Sequence, residues 1–150
     1  MQHIKQQLYQ ACQEYLQMRI DAAQQAIDAA QQSANDETKS SSGDKYETGR
    51  AMMQLEVEKN SAQLAESLKL QHALEQISID NQPSSVQPGS LVVTDGAVFF
   101  IAISLGKVDL HDKTYLVISP GSPLGQMLLG LKAGGKVTFR DRAYVIKEIV

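Results

Sequence analysis

The chain has 150 residues, of which 43% are apolar and 5% aromatic, with no Trp and a formal net charge of −3. This length suits one compact domain, or a small domain with an extension. The low aromatic content argues against a large aromatic-lined ligand pocket, and the absence of a basic excess argues against binding of bare nucleic acid through its phosphates.

Cys12 is the single cysteine, so no internal disulfide can form and a reducing compartment is expected. The first residues do not show a charged segment followed by an apolar one, so no signal peptide is expected. No apolar run approaches the roughly 20 residues needed to cross a bilayer. We therefore expect a cytoplasmic protein without a membrane partner.

Residues 2–33 contain neither Gly nor Pro and are rich in good helix formers. Small and apolar residues recur at alternating spacings of four and three, which predicts the seam of a coiled coil. The predicted seam residues are Ile4, Leu8, Ala11, Tyr15, Met18, Ala22, Gln25 and Ala29. A helix of about 32 residues would span roughly 48 Å.

A serine-rich break that ends at Gly43 predicts a turn, and a second helix is expected from Asp44 to about Ser78. Its predicted seam residues are Met53, Val57, Asn60, Leu64, Ser67, Gln71 and Leu74. Because the connection is short, the two helices should pack antiparallel. Residues 1–79 are therefore predicted to form an antiparallel coiled-coil hairpin, with an acidic tip at about residues 34–47.

Residues 80–89 contain two Pro and one Gly among polar residues, which predicts a linker. From residue 90 to residue 150, short β-branched runs alternate with turn residues, as is typical of strands. The predicted strands are 91–93, 98–103, 114–118, 136–139 and 143–149. Asp95-Gly96 is a tight-turn signal between the first two strands.

Ser122, Pro123 and Leu124 have the residue types of a helix N-cap, first position and first apolar position. They predict a short helix over residues 123–129, closed by Gly130. The predicted fold class is therefore α+β: an antiparallel helical hairpin followed by a small, mostly antiparallel sheet with one short helix.

Four carboxylates lie near the predicted hairpin tip, namely those of Asp36, Glu37, Asp44 and Glu47. Asp44 and Glu47 are three residues apart and share a helix face, which suits joint assistance to a hard cation such as Mg²⁺. The same spacing also forms a capping box that only stabilises a helix start, so both interpretations stay open. Asp36 and Glu37 lie near a helix C-terminus, where negative charge costs about 0.3–1 kcal/mol, so stability does not explain them.

Two motifs resemble the Gre transcript-cleavage factors of bacterial RNA polymerase. The segment 119–134 is similar to the family's C-terminal signature, Ser-Pro-x-Gly-x-Ala-Leu-x-Gly-Lys-x-x-Gly. As in the family, a predicted strand follows the signature, here at Val137. The segment 43–47, Gly-Asp-Lys-Tyr-Glu, is similar to the family's tip pattern of Gly-Asp, two residues, then Glu. The likeness extends over the domain layout, while strong residue matches cover a fifth of the chain.

The resemblance implies a coiled coil that enters the polymerase secondary channel and a C-terminal domain of FKBP-like fold that docks at the channel rim. Asp44 and Glu47 would then help to hold a catalytic Mg²⁺ of the polymerase, which itself cleaves backtracked RNA. Ser122, Pro123 and Leu124 would belong to the docking loop. The chain would not be an enzyme, would hold no cofactor stably, and would act as a monomer.

Thr48, Gly49 and Arg50 depart from the family, which usually has Asn after the Glu and a nearby Glu-Tyr pair. Lys45 and Arg50 are possible contacts to RNA phosphate, although solvated helix charges are the commoner case. Two alternatives stay open for these reasons. One is a polymerase-binding regulator that does not stimulate cleavage, and the other is an adaptor whose hairpin pairs with a partner helix.

Overall fold

The computed structural model describes residues 1–40 and 44–150, and it describes the side chains of residues 1–36 and 47–150. Two long helices precede a six-stranded sheet that carries one short helix, which confirms the α+β class. The elements are α1 (Gln2–Ser40), α2 (Asp44–Glu75), β1 (Leu91–Thr94), β2 (Val98–Ile101), β3 (Gly106–Leu110), β4 (Lys113–Ile118), α3 (Pro123–Leu128), β5 (Lys136–Phe139) and β6 (Arg142–Ile149).

The chain divides into two compact units. One unit comprises Met1–Glu14 together with Ala73–Val150, and the other comprises Tyr15–His72. The start of α1 and the end of α2 therefore cluster with the sheet, whereas the rest of the two helices forms a unit of its own. The predicted boundaries, which place a hairpin at residues 1–79, a linker at 80–89 and a C-terminal domain at 90–150, stay a prediction.

Helices α1 and α2 pack antiparallel, because early residues of α1 meet late residues of α2. Gln71 Nε2 donates to Gln17 Oε1 at 3.5 Å, and Tyr9 Oη donates to the Leu74 carbonyl oxygen at 2.9 Å. Every predicted seam residue of α2 is buried or half-buried: Met53, Val57, Asn60, Leu64, Ser67, Gln71 and Leu74. The predicted seam of α2 is therefore confirmed.

The predicted seam of α1 was correct over its first half, where Ile4, Leu8, Ala11 and Tyr15 are buried or half-buried. It was wrong from Met18 onward, where the buried row lies along neighbouring positions. The buried apolar residues are Leu8, Cys12, Leu16, Ala23, Ile27 and Ala30, of which the prediction contained Leu8 alone. Met18 is 62% exposed, and Ala22, Gln25 and Ala29 are exposed as well. Alanines occupy both the predicted row and the buried row, so the spacing of small residues does not distinguish the two. The larger apolar residues Leu16 and Ile27 occur only in the buried row.

Two polar residues are buried in the α2 seam. The Asn60 side-chain amide donates within its own helix, to the Glu56 carbonyl oxygen at 2.8 Å and to Glu56 Oε1 at 3.2 Å. Ser67 is 1% exposed, and its Oγ has no hydrogen-bond partner among the described residues. Since a buried unsatisfied polar group costs about 1–3 kcal/mol, this seam is not optimised for stability.

The sheet has the strand order β3-β4-β2-β1-β6-β5 and is mixed. All neighbouring strands are antiparallel except β2 and β4, which pair in parallel with Phe99 opposite Leu116. The sequence did not predict β3, which has an exposed, alternating pattern and pairs with β4 from Gly106↔Val117 to Leu110↔Lys113. His111 and Asp112 join these strands with φ of 51° and 65°, as a two-residue hairpin turn requires.

Both faces of the sheet carry buried residues. One face packs against Leu124 and Leu128 of α3 and includes Val92, Phe99 and Ile101. Leu91 and Phe100 are paired with each other and fully buried. Because successive side chains of a strand point to opposite faces, this pair belongs to the second face.

The first turns of α1 belong to this unit through their side-chain donors. Gln2 Nε2 donates to the Ile79 carbonyl oxygen at 2.6 Å and Lys5 Nζ to the Asn81 carbonyl oxygen at 3.0 Å. Lys5 is 1% exposed; burial lowers the pKa of its ammonium, while the nearby Asp80 carboxylate acts in the opposite direction. Burial raises the pKa of the Cys12 thiol to about 12, so Cys12 behaves as a small apolar residue.

Residues 85–90 are tied to the sheet unit by backbone hydrogen bonds and one close approach. Val86 exchanges hydrogen bonds with residues 130 and 131, each of 2.8 Å, and its side chain is in the core. Gly89 has φ of +94°, and a Cβ there would collide with the Ser78 carbonyl oxygen and lie 2.7 Å from Ile77 Cγ2. Only a glycine fits this position without strain.

Gly89→Ala should lower the free energy of unfolding of the sheet unit by about 2 kcal/mol or more, because a left-handed backbone and a collision are imposed together. Urea unfolding followed by circular dichroism measures this change. Gly121→Ala is the matched control, since a Cβ at Gly121 meets nothing within 4 Å. Equal unfolding midpoints for the two variants would contradict the close approach.

Ser67→Ala should stabilise the helical pair by about 1 kcal/mol more than Ser61→Ala does, because only Ser67 is a buried hydroxyl without a partner in the described structure. Both changes make the same gain in helix propensity. The difference between their free energies of unfolding therefore measures the effect of burying the Ser67 hydroxyl. Thermal melts of the two variants supply the comparison. A larger gain from Ser61→Ala would show that the Ser67 hydroxyl is satisfied in solution.

Candidate functional site

The first candidate site lies where α1 ends and α2 begins. Helix α1 continues past residue 33, where the sequence predicted its end, and reaches Ser40. Asp36 thus lies on the helix close to its C-terminal end; its side chain is exposed, and its Oδ1 accepts from Gln32 Nε2 at 3.5 Å. The Glu37 side chain lies outside the described residues.

Glu47 lies in the first turn of α2 and is exposed. Asp44 is the first residue of that helix, and the side chains of Asp44 and Lys45 lie outside the described residues. A carboxylate in the first turn is favoured by the helix dipole, which is consistent with the capping interpretation. The position also leaves Glu47 accessible to a partner.

Glu47 and Arg50 share one face of α2. They line a shallow concave surface together with Ala51 and Gln54, so the structure brings the predicted metal-assisting carboxylate and the predicted RNA contact to one place. Residues three apart on a helix are neighbours, and an opposite charge there offsets part of the carboxylate's negative potential. Arg50, which departs from the family pattern, therefore lies beside Glu47.

Arg50 also lines a small cleft between α1 and α2 that the sequence did not suggest. The cleft has a volume of about 260 Å³ and is lined by Gln31, Ala34, Asn35, Arg50, Met53, Gln54 and Val57. Three amide side chains and one guanidinium give it several donors. The i, i+4 spacing of Gln31 with Asn35, and of Arg50 with Gln54, is the sequence signal that could have identified this cleft.

The Glu47 carboxylate is exposed, and a carboxylate is one of the oxygen ligands that Mg²⁺ takes from a protein. Within the described part of the chain, no three His, Cys, Asp or Glu side chains converge on a possible metal position. The described side chains therefore offer a cation a single carboxylate here, that of Glu47.

The second candidate site is the segment before α3, in the sheet unit. Ser122 is the N-cap, and its Oγ accepts the Gly125 N–H at 3.1 Å and donates to the Ser119 carbonyl oxygen at 2.7 Å. Pro123 is exposed, whereas Leu124 is buried in the core with Leu128. Helix α3 ends at Leu128, one residue before the predicted end, and Gly130 follows with φ of +84°.

The segment before α3 folds tightly back on the helix. A Cβ at Gly125 would collide with the Ser119 carbonyl oxygen and lie 2.8 Å from Ser122 Oγ. Gln126 Nε2 further donates to the Gly121 carbonyl oxygen at 3.2 Å. Ser122 therefore caps the helix and Leu124 packs in the core, so both have structural roles. Of the three residues predicted to dock, only Pro123 is exposed.

The two candidate sites lie in different units, residues 15–72 and residues 1–14 with 73–150. Across the described residues, no helix is long and apolar enough to cross a membrane.

The chain matches no protein-family model and no curated protein sequence. The arrangement of a long helical pair and a small mixed sheet is compatible with the architecture expected from the two sequence motifs.

Ser122→Ala should destabilise the sheet unit by about 1 kcal/mol, because it removes the N-cap acceptor and a donor to Ser119 together. Ser122→Thr retains the hydroxyl and should lose much less. Urea unfolding of both variants tests the assignment. If Thr and Ala are equally destabilising, the capping hydroxyl is not what holds this segment.

Proposed function

We propose that this protein is a transcription elongation factor of the Gre type, which binds bacterial RNA polymerase in its secondary channel and stimulates the polymerase to cleave backtracked RNA. The protein itself would form and break no bond. It would act in the cytoplasm, where the polymerase is found, and as a monomer. Its action would be to deliver carboxylates to a catalytic centre that already holds metal.

The observation that carries this proposal is the position of the acidic residues. Asp36 and Glu37 lie at the end of α1, and Asp44 and Glu47 lie in the first turn of α2. The two helices pack antiparallel, so these four residues fall at the same end of the helical pair. Acidity on both sides of one turn is better explained by a cation or a basic surface than by helix stability.

The chemistry follows from two-metal catalysis. In such a site the second ion stabilises the attacking and leaving oxygens of an in-line displacement. Mg²⁺ retains several waters and is weakly held by one or two carboxylates. Glu47, with Asp44, would raise the occupancy of that ion in the polymerase, which supplies the remaining ligands.

The sheet unit would supply the docking surface, through Pro123 and the segment before α3. The short loop is held rigid by the Ser122 cap and the close approach at Gly125. A rigid, exposed loop on a stable scaffold is a suitable recognition element, because little order has to be created on binding. An FKBP-like arrangement of this unit is part of the proposal.

A second candidate function has its own supporting observation. Arg50 lies on the same concave surface as Glu47, and a cation there reduces the carboxylate's attraction for Mg²⁺. A protein that occupies the channel without stimulating cleavage would be compatible with this pairing. An adaptor that pairs its hairpin with another helix has weaker support, because Asn60 satisfies its amide within its own helix.

Cleavage of RNA in stalled elongation complexes should be stimulated by the wild-type protein and reduced about 10- to 100-fold by Asp44→Asn with Glu47→Gln. Glu58→Gln is the matched control, because it removes an exposed carboxylate from the same helix. Its activity should equal that of the wild type.

The outcomes separate the candidates. Equal stimulation by the wild type and the tip variant would show that Asp44 and Glu47 do not assist the metal. Binding to polymerase without stimulation, followed by a gain of stimulation in Arg50→Gln, would favour the non-cleaving regulator. Failure of the wild type to bind polymerase at all would overturn both.

A further inference from the structure

The positive charge of this protein is concentrated near its C-terminal hairpin. Residues 130–150 contain five Lys or Arg against two acidic residues, whereas residues 1–129 contain nine against fifteen. The five are Lys132, Lys136, Arg140, Arg142 and Lys147, and all are exposed. A local basic surface on an acidic protein is a candidate contact for a negatively charged partner.

Two arginines of this hairpin are held over aromatic rings. The guanidinium carbon of Arg140 lies 5.1 Å from the centre of the Phe139 ring, and that of Arg142 lies 5.5 Å from the centre of the Tyr144 ring. Stacking of this kind orients the planar guanidinium and leaves its N–H edge available. Both residues therefore present donors in a defined direction.

The supporting rings are themselves fixed by the core. Tyr144 is 7% exposed and makes an edge-to-face contact with Phe99, with ring centres 5.3 Å apart. Arg142 Nη2 also donates to the Gly96 carbonyl oxygen at 3.4 Å, in the turn between β1 and β2. A Cβ at Gly96 would lie 3.2 Å from the Tyr144 ring, so the glycine permits this packing.

The hairpin turn places the two arginines on either side of one residue. Arg140 and Asp141 adopt φ of 52° and 64°, and Phe139 pairs with Arg142 across the strands. Strand β5 is the last strand of the sheet, so the hairpin lies at an edge. The surface formed by Arg140 and Arg142 is named here the arginine hairpin.

We infer that the arginine hairpin binds an acidic protein segment, in which Asp or Glu carboxylates accept pairs of hydrogen bonds from Arg140 and Arg142. A guanidinium matches a carboxylate in a bidentate geometry. Two observations favour a protein over a nucleic acid. Asp141 lies between the arginines in the sequence and Asp95 lies in the turn that Arg142 contacts, so a strand of closely spaced phosphates would meet these carboxylates, whereas a peptide can place single carboxylates on the two guanidinium groups.

The second observation concerns the rings. Single-stranded nucleic acid is commonly bound by stacking of bases on aromatic side chains, but the rings of Phe139 and Tyr144 are taken up by the arginines. Asp95 is already engaged, since its Oδ1 accepts the Val145 N–H at 3.0 Å. Discrete carboxylates fit between these groups more readily than a polyanionic strand does.

The test is fluorescence anisotropy with the full-length protein and a labelled 20-residue peptide in which single Glu residues are separated by neutral residues, at low and at physiological salt. The double variant Arg140→Gln, Arg142→Gln should bind at least about tenfold more weakly than the wild type, because charge-assisted hydrogen bonds are lost. Lys107→Gln with Lys113→Gln is the control, since it removes the same charge from strands β3 and β4 at the other edge of the sheet. Its affinity should stay within about twofold of the wild type.

A second variant, Arg140→Lys with Arg142→Lys, retains the charge but loses the planar fork, and it should bind nearly as weakly as the glutamine variant. No binding of the peptide by the wild type, or equal weakening by the Lys107, Lys113 control, would overturn the inference. Tighter binding of a single-stranded RNA of equal charge would also overturn it, in favour of nucleic acid. None of these outcomes depends on whether the protein stimulates transcript cleavage.

Discussion

The structure depends on the first turns of α1, which hold the chain where it leaves α2. Gln2, Lys5 and Tyr9 donate to carbonyl oxygens between residues 74 and 81, at the end of α2 and in the segment that follows it. Lys5 is nearly fully buried with Asp80 nearby. Burying a charge is costly unless it is hydrogen-bonded and paired, so Lys5 fixes the path of this segment more than it adds stability.

Sequence periodicity predicted some of the fold well and some poorly, for identifiable reasons. The α2 seam followed an unbroken spacing from Met53 to Leu74 and was located correctly. The second half of the α1 seam was misplaced because alanines populate both candidate rows there, so packing against the partner helix decides which row is buried. Strand β3 was missed because it is an exposed edge strand whose identity comes from pairing with β4, and context of this kind outweighs intrinsic β-propensity.

The candidate sites were predictable to different degrees. The cap at Ser122 is encoded by three consecutive residues, and the structure reproduces it. The proximity of Glu47 and Arg50 follows from helix spacing alone. The cleft that joins Arg50 to Gln31 and Asn35, and the stacked arginines of the arginine hairpin, depend on packing between elements distant in sequence, which a single sequence does not specify.

The central claim is that the junction of α1 and α2 reaches the catalytic centre of a polymerase. The most direct measurement is photo-crosslinking from a reactive residue placed at Thr48, which is exposed beside Glu47, in a backtracked elongation complex. The account predicts crosslinks to the RNA 3′ end or to the polymerase subunit that holds the catalytic metal. The same probe at Ser61, further along α2, should not reach either. Crosslinks from Thr48 to the outer surface of the polymerase alone, or none at all, would contradict the account.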